Sequence, residues 1–150
     1  MSHRIIVAED HPLLRHGLKA LLGMHADYQV VDEAVDGREA VTKTLRLQPD
    51  LVLMDLQFGA SANSGGADAT RRIRELDPDC PTVLMTAYGS VDTAVEAMRR
   101  GATDYIEKPF KPEQVLLVVA RVAGMRRTLA ALTPADNGRY LQHDGSPLPW

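Results

Sequence analysis

The sequence predicts an α/β fold in which a parallel sheet is covered by helices on both faces. Three observations carry that expectation. Short apolar runs at residues 4–8, 28–31, 51–56, 81–86 and 104–107 alternate with stretches whose apolar residues recur at helical spacing. Leu51-Val52-Leu53-Met54 is apolar at four consecutive positions, the pattern of a strand buried on both faces and not of a half-exposed one. Strand followed by helix, repeated five times, fits a parallel sheet with right-handed crossovers.

Each element has its own reason. Pro12 suits the first turn of helix one, where a missing N–H costs nothing, and Leu14, Leu18, Leu21 and Leu22 fall on one face. Strand two covers 28–31, and Asp36-Gly37 marks the turn into helix two, where Ala40, Val41, Thr44 and Leu45 share a face. Gln48-Pro49-Asp50 ends it. After strand three, residues 57–68 are rich in Gly, Ala, Ser and Asn without apolar periodicity and read as a long mobile loop. Helix three runs through Arg71, Ile73 and Leu76 to the breaker Asp77-Pro78-Asp79. Val91, Ala94, Val95 and Met98 place helix four on the sheet, and Gly101 caps it. Pro112 opens helix five, whose apolar run from Val115 is core first and a dimer or partner face second. Met24, Met85, Met98 and Met125 read as core or interface filler, and Cys80 as packing or surface. Residues 133–150 turn to Pro, Gly, Asn, Asp and Ser, so the expected organisation is one domain over 1–130 and a flexible tail or linker over 131–150.

Composition narrows the function classes. A chain of 150 residues, 45% hydrophobic and 25% charged, can bury one core. Its net charge of −3 supplies no basic field, which argues against direct nucleic-acid binding. One cysteine rules out an internal disulfide, and the longest apolar run, residues 115–120, is far too short to span a bilayer. A soluble, cytoplasmic protein without membrane contact is the expectation.

The chemistry gathers at strand ends, where open parallel sheets place their working crevice. Glu9 and Asp10 follow the first run, Asp55 ends the third, Thr86 ends the fourth and Lys108 follows the fifth. Carboxylates at Glu9, Asp10 and Asp55 repel one another unless a cation sits among them, and a hard divalent ion such as Mg²⁺ prefers such oxygen donors. An Asp55 oxygen remains to attack phosphorus while the metal and Lys108 draw off developing charge and Thr86 bonds another oxygen. His11, beside Pro12, reads as a helix-start residue before a catalytic one.

In these residues, with Thr86-Ala87 and the run from Gly101 to Phe110, the chain resembles the CheY-like receiver domain of bacterial two-component response regulators from residue 4 to about 126. Ala8-Glu9-Asp10-His11-Pro12 and Val52-Leu53-Met54-Asp55-Leu56 are similar to NarL/LuxR-type members, and Thr86-Ala87-Tyr88-Gly89-Ser90 and Lys108-Pro109-Phe110 to NtrC-type members. The resemblance implies a flavodoxin-like (βα)5 fold with sheet order 2-1-3-4-5. It implies Asp55 as phosphoacceptor, Asp10 as a ligand of Mg²⁺ or Mn²⁺ supported by Glu9 and the Gln57 carbonyl, and Thr86 and Lys108 as phosphoryl contacts. Tyr105 would be the rotating aromatic of the switch, and Gln57 and Tyr88 would control water access. The implied partners are a sensor histidine kinase, a second copy through the face of helix four, strand five and helix five, and a separate or missing output domain. Such a domain is a signalling switch and not an enzyme. Where relatives carry Met-Pro and Asp-Gly after the acceptor, residues 57–68 stand here as a longer loop. Two alternatives remain: a phosphorylation-independent scaffold, and an Asp-nucleophile phosphatase, which needs a second Asp where Gln57 stands. No Walker loop follows strand one.

Overall fold

The computed structural model describes residues 2–56, 58, 65–87, 95 and 98–125. Its elements are β1 (His3–Ala8), α1 (Pro12–Gly23), β2 (Tyr28–Ala34), α2 (Gly37–Leu47), β3 (Leu51–Asp55), α3 (Gly66–Leu76), β4 (Thr82–Thr86), β5 (Asp104–Glu107) and a last helix, Pro112–Ala123. All five strands are parallel in the order β2-β1-β3-β4-β5, as expected. Gln57, Tyr88, the loop tip 59–64, most of the expected fourth helix and the tail 126–150 lie outside the described residues.

The sheet separates two cores by the two-residue alternation of its strands. Ile5, Val7, Leu51, Leu53, Val83 and Met85 face Leu18 and Leu22 of α1 and Val115, Val118, Val119 and Val122 of the last helix. Ile6, Ala8, Val52, Met54 and Leu84 face Ala40 and Val41 of α2 and Ala69 and Ile73 of α3, with Phe58, Cys80 and Ala102 completing that layer. Consecutive apolar residues in β1 and β3 thus supply both cores, and each fully buried Leu, Ile or Val contributes about 1.5–3 kcal/mol. Local signals work as read at several junctions. Pro12 opens α1 after His11, whose Nδ1 accepts from the Leu14 N–H at 3.4 Å, and Asp36 caps α2 by accepting from the Glu39 N–H at 2.7 Å. Gly101 takes φ +98°, the left-handed region where a side chain is strained.

Several expectations are corrected. β2 continues to Ala34, because its pairing with β1 persists to the Ala8–Ala34 register while Asp32 and Glu33 are held by Lys43, Arg46, Arg15 and Lys19. The loop after β3 is shorter than read: Gly66, Ala67 and Asp68 already belong to α3, and Phe58 is buried because a large ring packs into the second core. Leu45 is exposed, since it lies about 100° further round α2 than Thr44, and Leu47 packs instead. Leu76, the final residue of α3, is exposed. Val95 and Met98 are exposed too. Of the four methionines read as core or interface filler, Met85 is core, while Met24, after the end of α1, Met98 and Met125, after the last helix, are exposed.

α2 ends on Gln48 at φ 48° and ψ 63°, a left-handed residue with a Cβ where glycine is the unstrained choice. Gln48→Gly is therefore expected to stabilise the protein by about 0.5–1 kcal/mol, the relieved strain outweighing the added freedom of the unfolded chain. Urea denaturation checks this through a raised midpoint at unchanged slope; a lowered midpoint contradicts it.

Candidate functional site

The site forms where the carboxyl ends of β1, β3, β4 and β5 meet. Because β1 and β3 are neighbours whose connections leave to opposite sides of the sheet, a crevice opens between their ends. Glu9 and Asp10 enter it from β1 and Asp55 from β3, and one carboxylate oxygen from each lies within 4.8 Å of the others. Glu9 and Asp55 are buried and Asp10 is exposed. Three carboxylates this close, one open to solvent, form an all-oxygen donor set that fits a hard divalent cation such as Mg²⁺.

Lys108 is the cation within the site. Its Nζ donates to Asp55 Oδ1 and to Glu9 Oε2, each at 3.1 Å, joining groups 53 and 99 residues distant in sequence. Glu9 Oε1 also accepts the His11 N–H at 3.2 Å, so both Glu9 oxygens are engaged inside the protein. That makes Glu9 a support for the cluster and leaves Asp10 as its solvent-facing member. Burial raises the Glu9 carboxyl above its ordinary value of 4.5, and repulsion from Asp55 raises it further. The charge and hydrogen bond of Lys108 and the His11 N–H oppose that rise.

Backbone bonds register the strand ends. The Lys108 N–H donates to the Thr86 carbonyl at 2.6 Å, and the Leu56 N–H to the Met85 carbonyl at 2.8 Å, which brings buried Thr86 to the same edge as Asp55 and Lys108. The Lys108–Pro109 peptide is cis. Tyr105, on edge strand β5, is half-buried against the second core and borders a shallow groove of about 410 Å³. Ile106, Gln114, Leu117 and Val118 also line that groove, and the Arg121–Asp104 ion pair lies along it.

Sequence reading named Glu9, Asp10, Asp55, Thr86 and Lys108, and the structure brings all five to one edge; Tyr105 lies on β5, and Gln57 and Tyr88 are outside the described residues. It missed Arg15. That guanidinium donates to the Glu9 carbonyl at 2.9 Å and to Glu33 at 3.2 Å, tying the first acid's backbone to β2. The available signal was its place in the first turn of α1, five residues after Asp10.

Comparison with known proteins agrees with this fold. Residues 5–120 match the family described as the response regulator receiver domain. The chain is 35% identical over 123 residues to the chemotaxis protein CheY of Thermotoga maritima, covering 82% of this chain and 99% of that protein. It is 33% identical over 131 residues to the nitrate/nitrite response regulator protein NarL of Escherichia coli, covering 87% of this chain but 59% of that protein, and it likewise spans 54% of the oxygen regulatory protein NreC of Staphylococcus carnosus. Among solved structures, a LuxR-family two-component response regulator from Aurantimonas sp. superposes with a TM-score of 0.77 at 31% identity, covering 83% of this chain and 86% of that one. The receiver domain of NtrX from Brucella abortus superposes at 0.70 and 31% identity, covering 79% and 97%. This chain belongs to the response regulator receiver domain family, with CheY-like, NarL-like and NtrX-like relatives.

Proposed function

We propose that this protein is a phosphorylation-activated switch that accepts a phosphoryl group on Asp55 from a sensor histidine kinase. The observation that carries the reading is the position of Lys108 Nζ, 3.1 Å from both Asp55 and Glu9 beside the exposed Asp10. In the transfer, an Asp55 oxygen forms the new bond to phosphorus as the bond to the donor breaks, and the donor leaves with that electron pair. Lys108 offers positive charge to the phosphoryl oxygens, and Thr86 a hydroxyl. A bound Mg²⁺ would be held by Asp10 and Asp55, with Glu9 behind them and the Gln57 carbonyl alongside, and would neutralise charge on the phosphoryl oxygens. Gln57 and Tyr88 control water access and hence the lifetime of the phosphorylated state.

Two features support an outward signal. Thr86 and Lys108 share a backbone bond, so movement of the Thr86 loop toward a phosphoryl group is felt at the start of the segment after β5. Tyr105 stands half-buried beside the groove along β5 and the last helix, where inward or outward rotation would alter the surface. That face, with residues 91–98, is the one we assign to a second copy or another partner, and residues 131–150 to a tail or linker. The protein works in the cytoplasm, with output by a separate domain or protein and not by its own DNA contact; among the described residues no helix is long and apolar enough to cross a membrane.

Asp55→Asn is expected to abolish incorporation of hydroxylamine-labile phosphate, because an amide is a poor nucleophile; label that persists in the variant contradicts the assignment. Thr86→Ala should still accept phosphate but lose most of the phosphate-induced change in self-association, read by sizing with beryllofluoride and Mg²⁺; equal responses in parent and variant would break the coupling. The third expectation concerns pH in chelator. With Glu9 raised above 4.5 in the folded state, the folded protein holds its proton more tightly than the unfolded one, so the stability contributed by this group is full below 4.5 and lost as pH rises through the folded value. The urea midpoint of the parent relative to Glu9→Gln should therefore fall as pH rises from 4.5 toward neutrality, and a flat or rising difference counts against the raised carboxyl.

A further inference from the structure

The turn after β3 is braced from the far side by the first residue of α3. The Gly66 N–H donates to the Leu56 carbonyl at 2.9 Å, and the Gly66 Cα lies directly on the peptide that follows the acceptor. A Cβ at Gly66 would stand 1.8 Å from the Asp55 carbonyl oxygen, 2.7 Å from its carbonyl carbon and 2.9 Å from the Leu56 Cα. All three are backbone atoms, so no side chain can swing aside to make room. Thr70, itself buried, donates its hydroxyl to the Gly66 carbonyl at 2.7 Å. Ala69 and Ile73 anchor the same helix in the second core, and the Leu56 N–H is bonded to Met85 on β4.

Resting on the reading of Asp55 as acceptor, we infer that Gly66, braced by Thr70, is a positioning residue for the phosphoryl transfer. A strand's ladder bonds stop at its end, and an aspartate there is only as well aimed as the peptide that follows it. Here that peptide is held between β4 on one side and the α3 N-terminus on the other, while Lys108 holds the carboxylate itself at 3.1 Å. The close approach needs glycine because backbone meets backbone. The hydroxyl of Thr70 fixes the first turn of α3 against the helix body, so the Gly66 contact is tied to the core.

The test compares the parent chain, Thr70→Val and Gly66→Ala, with acetyl phosphate as donor at saturating Mg²⁺, reading the rate constant of Asp55 phosphorylation separately from the fraction of chain able to react. Exchange of the Gly66 amide hydrogen in chelator, followed by NMR, reports the brace without any phosphoryl chemistry. Thr70→Val should slow the rate constant several-fold and Gly66→Ala by roughly tenfold to a hundredfold, with the fraction of chain able to react kept. The Gly66 amide should exchange at least several-fold faster in Thr70→Val. A residue that matters only for folding lowers the reactive fraction and leaves the rate constant alone, and that pattern overturns the inference. If Gly66→Ala does not fold, Thr70→Val decides: a parental rate constant or parental amide exchange in that variant overturns the inference while leaving Asp55 as acceptor. A parent chain that takes no phosphate overturns the acceptor reading and this inference with it.

Discussion

The interaction on which the site depends is the Lys108 ammonium held between the Glu9 and Asp55 carboxylates. Two buried acids side by side are unfavourable, and burial together with Asp55 already pushes Glu9 toward its neutral form. The lysine offsets that repulsion, and because it stands at 3.1 Å from each it also fixes the distance between the ends of β1 and β3. In the proposed function, the charge that holds the two strand ends together is equally placed to meet the charge of an arriving phosphoryl group, so one side chain would serve both structure and transfer.

The sheet makes that arrangement possible. A parallel sheet ends all its strands in one direction, so residues far apart in sequence meet at one edge once the register is set. A one-residue slip of β3 would exchange Leu51 and Leu53, which face α1 and the last helix, with Val52 and Met54, which face α2 and α3. Both faces are apolar, so the alternation alone tolerates a slip. The specific bonds at the strand ends, Lys108 N–H to Thr86, Leu56 N–H to Met85 and Gly66 N–H to Leu56, favour the observed register.

The outer edge at β2 is handled differently. Arg15, Lys19, Lys43 and Arg46 pair with Asp32 and Glu33, surrounding this edge strand with charge and discouraging pairing with another chain. Each exposed pair contributes little to stability. Arg15 does more, since its second bond to the Glu9 carbonyl connects that network to the acidic cluster. The opposite edge, at β5, carries the groove beside Tyr105 and the exposed Leu117, so the two edges of the sheet have different characters.

The sequence by itself determined the order and type of the described elements and which side chains gather at the strand ends. Apolar runs on a two-residue pleat, Pro12 and Pro112 at helix starts and Asp36-Gly37 as a turn are local signals, and local signals survive without knowledge of the fold. Glu9, Asp10, Asp55, Thr86 and Lys108 were legible because each directly follows or ends such a run, and strand ends converge in a parallel sheet. Tertiary structure decided what local pattern leaves open. The length of β2 depends on a partner strand and on cations from α1 and α2. The exposure of Leu45 and Met24 depends on where a helix stops touching the core. The roles of Arg15 and Gly66 depend on atoms that approach only after folding: a guanidinium reaching the Glu9 carbonyl just past β1, and a glycine Cα lying against the peptide of Asp55, where no side chain fits. Periodicity records which face of an element is apolar, and contacts between backbones leave no periodic trace.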